Sequence, residues 1–222
     1  MITSQHDYLP GQFPQVEELL RTIGTRGFIG GGMARYVAMS HQLDVPAPSD
    51  IDIFPCTFKI WDDVLGSIGY NRTHTLFNCV EYTHPNYQYK VQLVNPHANE
   101  YIQMWGSINE VLSNFDFTIN QVGLQFGRGS RNFIVVRGEH TMADLLTRTL
   151  RIAHMNNPVA MAARTIKYSK LGFSISMSEL AKLFLVWDER PGKYKKEIKN
   201  LVMNDNRNAE QSTHLYTLLR TT

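Results

Sequence analysis

The sequence predicts an α+β fold: a mixed sheet with flanking helices, followed by a small helical domain. Three observations carry that expectation. A short apolar step, Phe28-Ile29, runs directly into Gly30-Gly31-Gly32 and then into a helical pattern. Several segments between Asp50 and Val136 alternate apolar and polar residues with strand period, and from Thr141 onward glycine nearly disappears while the apolar spacing turns helical.

Taken in order, Val16, Leu19, Leu20 and Ile23 predict a helix over 13–23, ended by Gly24. A strand at Phe28-Ile29 follows, then the three glycines, then a helix over 33–39. Pro46-Ala47-Pro48-Ser49 imposes an extended approach to Asp50-Ile51-Asp52-Ile53-Phe54, whose alternation puts both carboxylates on one face of a strand and the isoleucines on the other. Residues 58–69 read as a helix closed by Gly69. Segments 76–82 and 87–94 read as a hairpin around His84-Pro85-Asn86. A short helix is expected over 108–114, then strands over 117–126 and 133–136, joined through Gly127-Arg128-Gly129-Ser130. The change of pattern near Gly138 divides the chain into 1–138 and 139–222.

Composition narrows the function classes. Cys56 and Cys79 can form no disulfide framework and lack zinc-site spacing, which suits a reducing, cytoplasmic setting. No charged and apolar leader stands at Met1 to Asp7, and no apolar run approaches the roughly 20 residues of a membrane span. The net charge of +2 announces no nucleic-acid partner by itself, and the local cluster of Arg190, Lys193, Lys195, Lys196 and Lys199 reads as a solvated helix face. The eight histidines show no i, i+4 pair; His74 and His84, flanking the hairpin, are those placed to meet phosphate. Trp61, Trp105 and Trp187 read as core anchors. No nucleophile motif, Walker motif or dinucleotide fingerprint is present.

The residues that carry chemistry are Asp50 and Asp52 beside the glycine turn. Carboxylates at i and i+2 of a strand point the same way and can share a divalent cation, here Mg2+ or Mn2+. Glycines at a strand-to-helix turn let backbone amides approach phosphates, and the following helix offers its positive end. Both features serve transfer of a nucleotidyl group from a nucleoside triphosphate to a hydroxyl, where the difficulty is phosphate charge and alignment of the attacking oxygen.

The order strand, Gly-Gly, helix, then a strand bearing Asp-x-Asp resembles the polymerase-beta-like nucleotidyltransferase superfamily. A closer likeness is to its bacterial-type CCA-adding enzymes and poly(A) polymerases. Phe28-Ile29-Gly30-Gly31-Gly32-Met33-Ala34-Arg35 is similar to their glycine motif, Ser49-Asp50-Ile51-Asp52-Ile53 to their metal motif, and Asp116-Phe117-Thr118-Ile119-Asn120 to an Asp-Phe-Thr-x-Asn element that lies beside the nucleotide in that family. The stretch from Asp144 to Phe173 resembles the start of their helical neck, with Asn157-Pro158, Arg164 and Lys170-Leu171-Gly172-Phe173 in comparable order. The resemblance covers about residues 26–175. It makes 1–138 a nucleotidyltransferase-like domain and 139–222 a neck-like domain. It implies Asp50 and Asp52 as catalytic metal ligands, and Gly30, Gly31, Gly32, Arg35, Ser49, Asp116, Asn120, Arg164 and Lys167 as nucleotide contacts, with Tyr168 placed to stack on a nucleotide. A nucleoside triphosphate, with RNA as acceptor, is the implied partner set.

The chain also departs from the family's pattern. Arg35 is followed by Tyr36 rather than aspartate, the paired arginines before Asp-Phe-Thr are replaced by Asn114-Phe115, and the base-reading Glu-Asp-x-x-Arg is missing near 156–167. The third carboxylate, which in the family faces the Asp-x-Asp pair from a later hairpin, aligns with Gln92. An amide neither neutralises a metal nor takes a proton from a hydroxyl. Either catalysis relies on two carboxylates, with Glu81 reaching in from the paired strand, or the domain binds nucleotides or RNA without turnover. The short helical part favours a small acceptor, a partial RNA contact, or a specialised offshoot such as a phage-encoded protein.

Overall fold

A computed structural model describes residues 1–6, 12–39, 47–55, 60–75, 79–94, 107–126, 133–155 and 157–202. The predicted α+β architecture is what it shows. Ten strands and eight α-helices are found among the described residues, and eight of the strands form one mixed sheet.

The helix α1 (Pro14–Ile23) turns Val16, Leu19, Leu20 and Ile23 to the core, none more than 3% exposed, and closes at Gly24 with φ +55. Strand β2 (Gly27–Gly30) then passes without a loop into α2 (Gly31–Met39). Strand β3 (Asp50–Pro55) pairs antiparallel with β2 and parallel with β6 (Lys90–Val94), which itself pairs antiparallel with β5 (Cys79–Thr83). The last two are the expected hairpin. Strand β4 (Asn71–Thr75) lies beyond β5 at one edge. On the other side β2 pairs with β7 (Val122–Phe126), β7 with β8 (Phe133–Arg137), and β8 with β1 (Ile2–His6). The resulting order is β1-β8-β7-β2-β3-β6-β5-β4.

The two faces of this sheet are built differently. Ile29, Ile51, Ile53, Val91, Leu93 and Leu124 belong to the larger apolar cluster, together with residues of α1 and α2. On the opposite face Phe28, Phe54, Val94 and Val136 pack with Val111 and Leu112 of α4 (Ile108–Ser113). A capping box starts α4: the Ser107 hydroxyl accepts from the Glu110 amide, and the Glu110 carboxylate accepts from the Ser107 amide at 2.6 Å. α4 seats on the bare backbone of Gly123, where a Cβ would come 2.7 Å from Ile108 Cδ1.

After Gly138 the chain forms α5 (Thr141–Leu146), α6 (Pro158–Ser169), α7 (Met177–Glu189) and α8 (Gly192–Val202), as the periodicity predicts, with a small parallel ribbon of β9 (Thr149–Leu150) and β10 (Ser174–Ile175) between them. Pro158 at the first turn and the Asn157 side chain, accepting from the amides of Val159 and Ala160, fix the start of α6. Leu145, Leu150, Met161, Tyr168, Phe173 and Leu183 join the same apolar cluster as the sheet.

Some expectations are corrected. The strand foreseen over 117–126 exists only as β7; Phe117 makes a single bridge to Ile152, and Thr118–Asn120 is one 3-10 turn. The reason is hydrogen bonding into the later segment: the Thr118 amide donates to Arg151 O at 3.0 Å, and the Asp116 carbonyl accepts from the Ala153 amide at 2.7 Å. The helix expected over 58–69 is α3 (Trp61–Gly66) alone, followed by a turn, with 56–59 outside the described residues. β4 was not foreseen because all five of its residues are exposed and carry no alternation. β1 was not foreseen either. Trp61 is fully buried, whereas Trp105, Cys56 and the 127–130 turn lie outside the described residues. No helix among the described residues is long and apolar enough to cross a membrane.

Asp144 anchors this joint. Its carboxylate, 3% exposed, accepts from Thr118 Oγ1 at 2.6 Å and from Arg151 Nε and Nη2 at 3.0 and 3.1 Å. That pairing holds the Arg151 guanidinium above its ordinary pKa. Asp144→Ala should lower the unfolding free energy by about 2 kcal/mol, because it leaves charged and hydroxyl donors without their acceptor; urea denaturation measures it.

Candidate active site

The geometry of the site follows from side-chain alternation on β3. Ile51 and Ile53 are both fully buried, so Asp50 and Asp52 emerge on the opposite face, each partly exposed. Ser49 sits in an exposed bend just ahead of them. Asp52 lies opposite Gly30, the last residue of β2, where the sheet hands over to α2. Gly31 has φ +67, and a Cβ there would lie 3.3 Å from Asp52 Oδ2. The glycine turn and the second carboxylate are thus in contact.

The glycines differ in what they require. Gly31 needs its left-handed backbone. Gly30 instead needs the absence of a side chain, because a Cβ would fall 2.7 Å from the Phe54 ring, itself stacked on Phe28 at 5.1 Å between centroids. Gly32 is less constrained, its nearest neighbour being Pro48 Cβ at 3.4 Å.

Across the sheet the register sets Asp50 beside Lys90 and Asp52 beside Gln92. Gln92 in turn stands opposite Glu81, and Glu81 opposite His74. Directly paired residues share a face. Gln92 therefore occupies the place next to the Asp pair, and Glu81 stands one strand further out, accepting a hydrogen bond from Gln92 Nε2 at 3.0 Å. Among the described residues no three His, Cys, Asp or Glu side chains converge as a metal cluster. The donor set beside the glycine turn is two carboxylates and an amide, all hard oxygen donors that fit a divalent cation such as Mg2+ or Mn2+.

The remaining candidates form a second group, joined through α2. Arg35 is 8% exposed, and its Nη1 donates to Asn120 Oδ1 at 2.8 Å and to Ile119 O at 3.2 Å, with the guanidinium 5.7 Å from the centre of the Tyr168 ring. The Tyr168 hydroxyl donates to Asn120 Oδ1 at 2.8 Å, and Asn120 Nδ2 donates to Asp116 Oδ1 at 3.0 Å. Asp116, 2% exposed, is also held by Arg164. So Arg35, Asp116, Asn120 and Arg164 do come together, but chiefly by bonding one another. Tyr168 is buried in this network rather than open for stacking. Lys167 stays outside it, exposed on α6.

Other residues singled out by sequence have structural duties. His84 packs against Tyr70 and Tyr87, and its Nδ1 accepts from the Asn86 amide at 3.1 Å. Phe115, where the resemblance implies an arginine, packs on Phe54 with ring centres 5.3 Å apart. Lys195 donates to the Asp188 carbonyl at 2.8 Å, tying α8 to the end of α7. Sequence reasoning missed the Asp144 anchor and the Gln92–Glu81 bond. No local signal marks either, since each joins residues whose neighbourhood depends on strand register or loop path.

Compared by sequence alone, the chain matches no protein-family model and no curated protein. Solved structures are more informative. The chain superposes on a tRNA-processing enzyme in its apo form with a TM-score of 0.56 at 17% identity, over 97% of this chain and 60% of that one. It superposes on the Thermotoga maritima CCA-adding enzyme complexed with tRNA with a TM-score of 0.56 at 15% identity, over 92% and 51%. The fold is that of the nucleotidyltransferases. The Bacillus stearothermophilus CCA-adding enzyme in complex with CTP is also similar, with a TM-score of 0.52 at 15% identity, over 95% of this chain and 49% of that one. The chain spans about half to three fifths of the length of these structures.

Gly31→Val tests the contact between turn and carboxylate. A β-branched residue at φ +67 is strained by about 1–2 kcal/mol. Its side chain would also meet Asp52. The variant should lose nucleotide binding by more than its loss of stability accounts for, measured by calorimetry alongside urea denaturation.

Proposed function

We propose that this chain is a metal-dependent nucleotidyltransferase moving a nucleoside monophosphate from a nucleoside triphosphate to a hydroxyl of RNA. The observation that carries this reading is the apposition of Asp52 to the Gly30-Gly31 turn, with Asp50 on the same face. The likeness in fold to tRNA-processing and CCA-adding enzymes supports the acceptor class.

In this reading residues 1–138 are the catalytic domain and 139–222 a neck-like helical domain. Asp50 and Asp52 hold a divalent cation, Mg2+ or Mn2+. When bound, it supplies charge neutralisation at the phosphates and acidifies the acceptor hydroxyl. The backbone amides of Gly31 and Gly32 bind the triphosphate, since no side chain blocks them and the positive end of α2 lies there. Arg35, on the same face of α2 as those glycines, is a buried cation with no carboxylate directly paired to it among the described residues. Its charge favours an anion near the start of the helix. Ser49 helps orient the phosphates. Asp116, Asn120 and Arg164 hold Arg35 and the 3-10 turn in position, and Lys167 offers an exposed cation to the acceptor. The acceptor hydroxyl gives its proton to solvent, its oxygen attacks the α-phosphorus, the bond from that phosphorus to the oxygen bridging to the β-phosphate breaks, and pyrophosphate leaves with that oxygen.

A second reading, nucleotide binding without turnover, is favoured by one observation: Gln92 stands beside Asp52 where a base would serve. Incubating the chain with each labelled triphosphate, Mg2+ or Mn2+ and RNA separates the two. Label should move onto RNA, and Asp50→Asn or Asp52→Asn should reduce transfer by about a thousandfold, the scale of a lost metal contribution of several kcal/mol. Tight nucleotide binding with no transfer would establish the second reading instead.

A further inference from the structure

Helix α7 has two sides of opposite kind. One packs inward: Leu183 is buried in the larger apolar cluster, Leu180 lies against that cluster, and Trp187 meets Tyr194 of α8 with ring centres 6.0 Å apart. The other side carries Met177, Ala181, Phe184 and Leu185, which have the i, i+4, i+7, i+8 spacing of a single helix face. All four are exposed, Met177 by 79%, Phe184 by 63% and Leu185 by 66%, and none belongs to either apolar cluster. Exposed apolar residues scattered singly are ordinary, but a stripe of them along one helix face marks a surface that packs against something.

We infer that this stripe is the docking site of residues 212–220 of the same chain, which lie outside the described residues. Leu215, Leu218 and Leu219 stand at i, i+3 and i+4, with Ser212 ahead of them as a helix-starting residue and Arg220 after them, at the end where a cation is favoured. A helix this short is marginal in water by itself, so it forms where its apolar face is buried. Between Gln211 and Thr222, Arg220 is the one Lys, Arg, Asp or Glu, so little charge holds the segment in water. Its tether is long enough. α8 starts beside the end of α7, where Lys195 donates to the Asp188 carbonyl, and the two helices span about 16 and about 20 Å. Residues 203–214 stretch to roughly 40 Å, which reaches any point of the stripe from Val202. A second copy of the chain is the poorer occupant: a stripe about 20 Å by about 10 Å offers far less than the roughly 800 Å2 per partner of a stable complex. A tethered segment, present at roughly millimolar effective concentration, needs less area.

The test uses the full chain and needs neither nucleotide nor metal. Hydrogen exchange read by mass spectrometry should show amides 213–220 of the wild type slowed by about tenfold or more relative to an unstructured chain. Phe184→Asp with Leu185→Asp should return them to the unstructured rate while exchange in α1, α2 and the sheet stays unaltered, because neither side chain belongs to the core. Leu218→Asp with Leu219→Asp should do the same from the other side of the contact. A benzophenone side chain introduced at Leu185 and activated by light should join to 213–220 of its own chain, with the same yield at low and high protein concentration. Free exchange of 213–220 in the wild type, a measurement that needs no variant to fold, would overturn the inference. So would protection that survives Phe184→Asp with Leu185→Asp, or a benzophenone adduct to a second copy or to another segment.

Discussion

The site depends on the parity of one central strand. With Ile51 and Ile53 fully buried against the larger cluster, Asp50 and Asp52 have only the other face available. A slip of one residue would put both carboxylates into the apolar layer beneath α1 and α2 and both isoleucines outside, which desolvation of charge forbids. β3 is paired on both sides, so its parity passes to its neighbours: Gly30 on β2, Gln92 on β6, Glu81 on β5 and His74 on β4 follow the same face. The whole polar row across the sheet is thus a consequence of where two isoleucines are buried.

The same face is apolar at its other end. Phe54, two residues beyond Asp52, stacks on Phe28 and is met by Phe115, closing a small core with α4. This explains two features that look unrelated in sequence. Gly30 must lack a side chain because the Phe54 ring lies over it, and Phe115 gives hydrophobic packing where the resemblance implies phosphate-binding charge. The carboxylates lie on the same face of β3, away from that core toward the start of the strand, with Asp52 beside the glycine turn.

Two buried aspartates tie the sheet to the segment beyond Gly138. Asp116 and Asp144 are each 2% exposed as residues: Asp116 is met by Arg164 of α6, and Asp144, itself in α5 and paired with Arg151, accepts from the Thr118 hydroxyl. Desolvating a carboxylate is costly, and such a pair offsets that cost only in one good geometry. The pairs therefore specify how the 116–120 turn lies against α5 and α6. Arg35 is positioned through this arrangement, by Asn120 and Tyr168.

What the sequence determined by itself was whatever rests on periodicity and on local backbone chemistry. The spacing of Val16, Leu19, Leu20 and Ile23, the alternation of Asp50 to Phe54, the hairpin around His84-Pro85-Asn86 and the glycines at the end of β2 all act within a few residues, so their structural outcome was legible. Only the tertiary structure decided which strand lies beside which, and hence that Gln92 adjoins Asp52 with Glu81 behind it. It also decided that Thr118-Ile119-Asn120 forms one 3-10 turn instead of extending a strand, because the partners of the 116–118 backbone and side chains come from Asp144 to Arg164, far along the chain. β4 was illegible for a related reason: an exposed edge strand shows no alternation, and its place is set by the neighbour it pairs with. Local spacing specifies a face, but a partner across the sheet is specified only when loop paths and buried surfaces have selected the strand order.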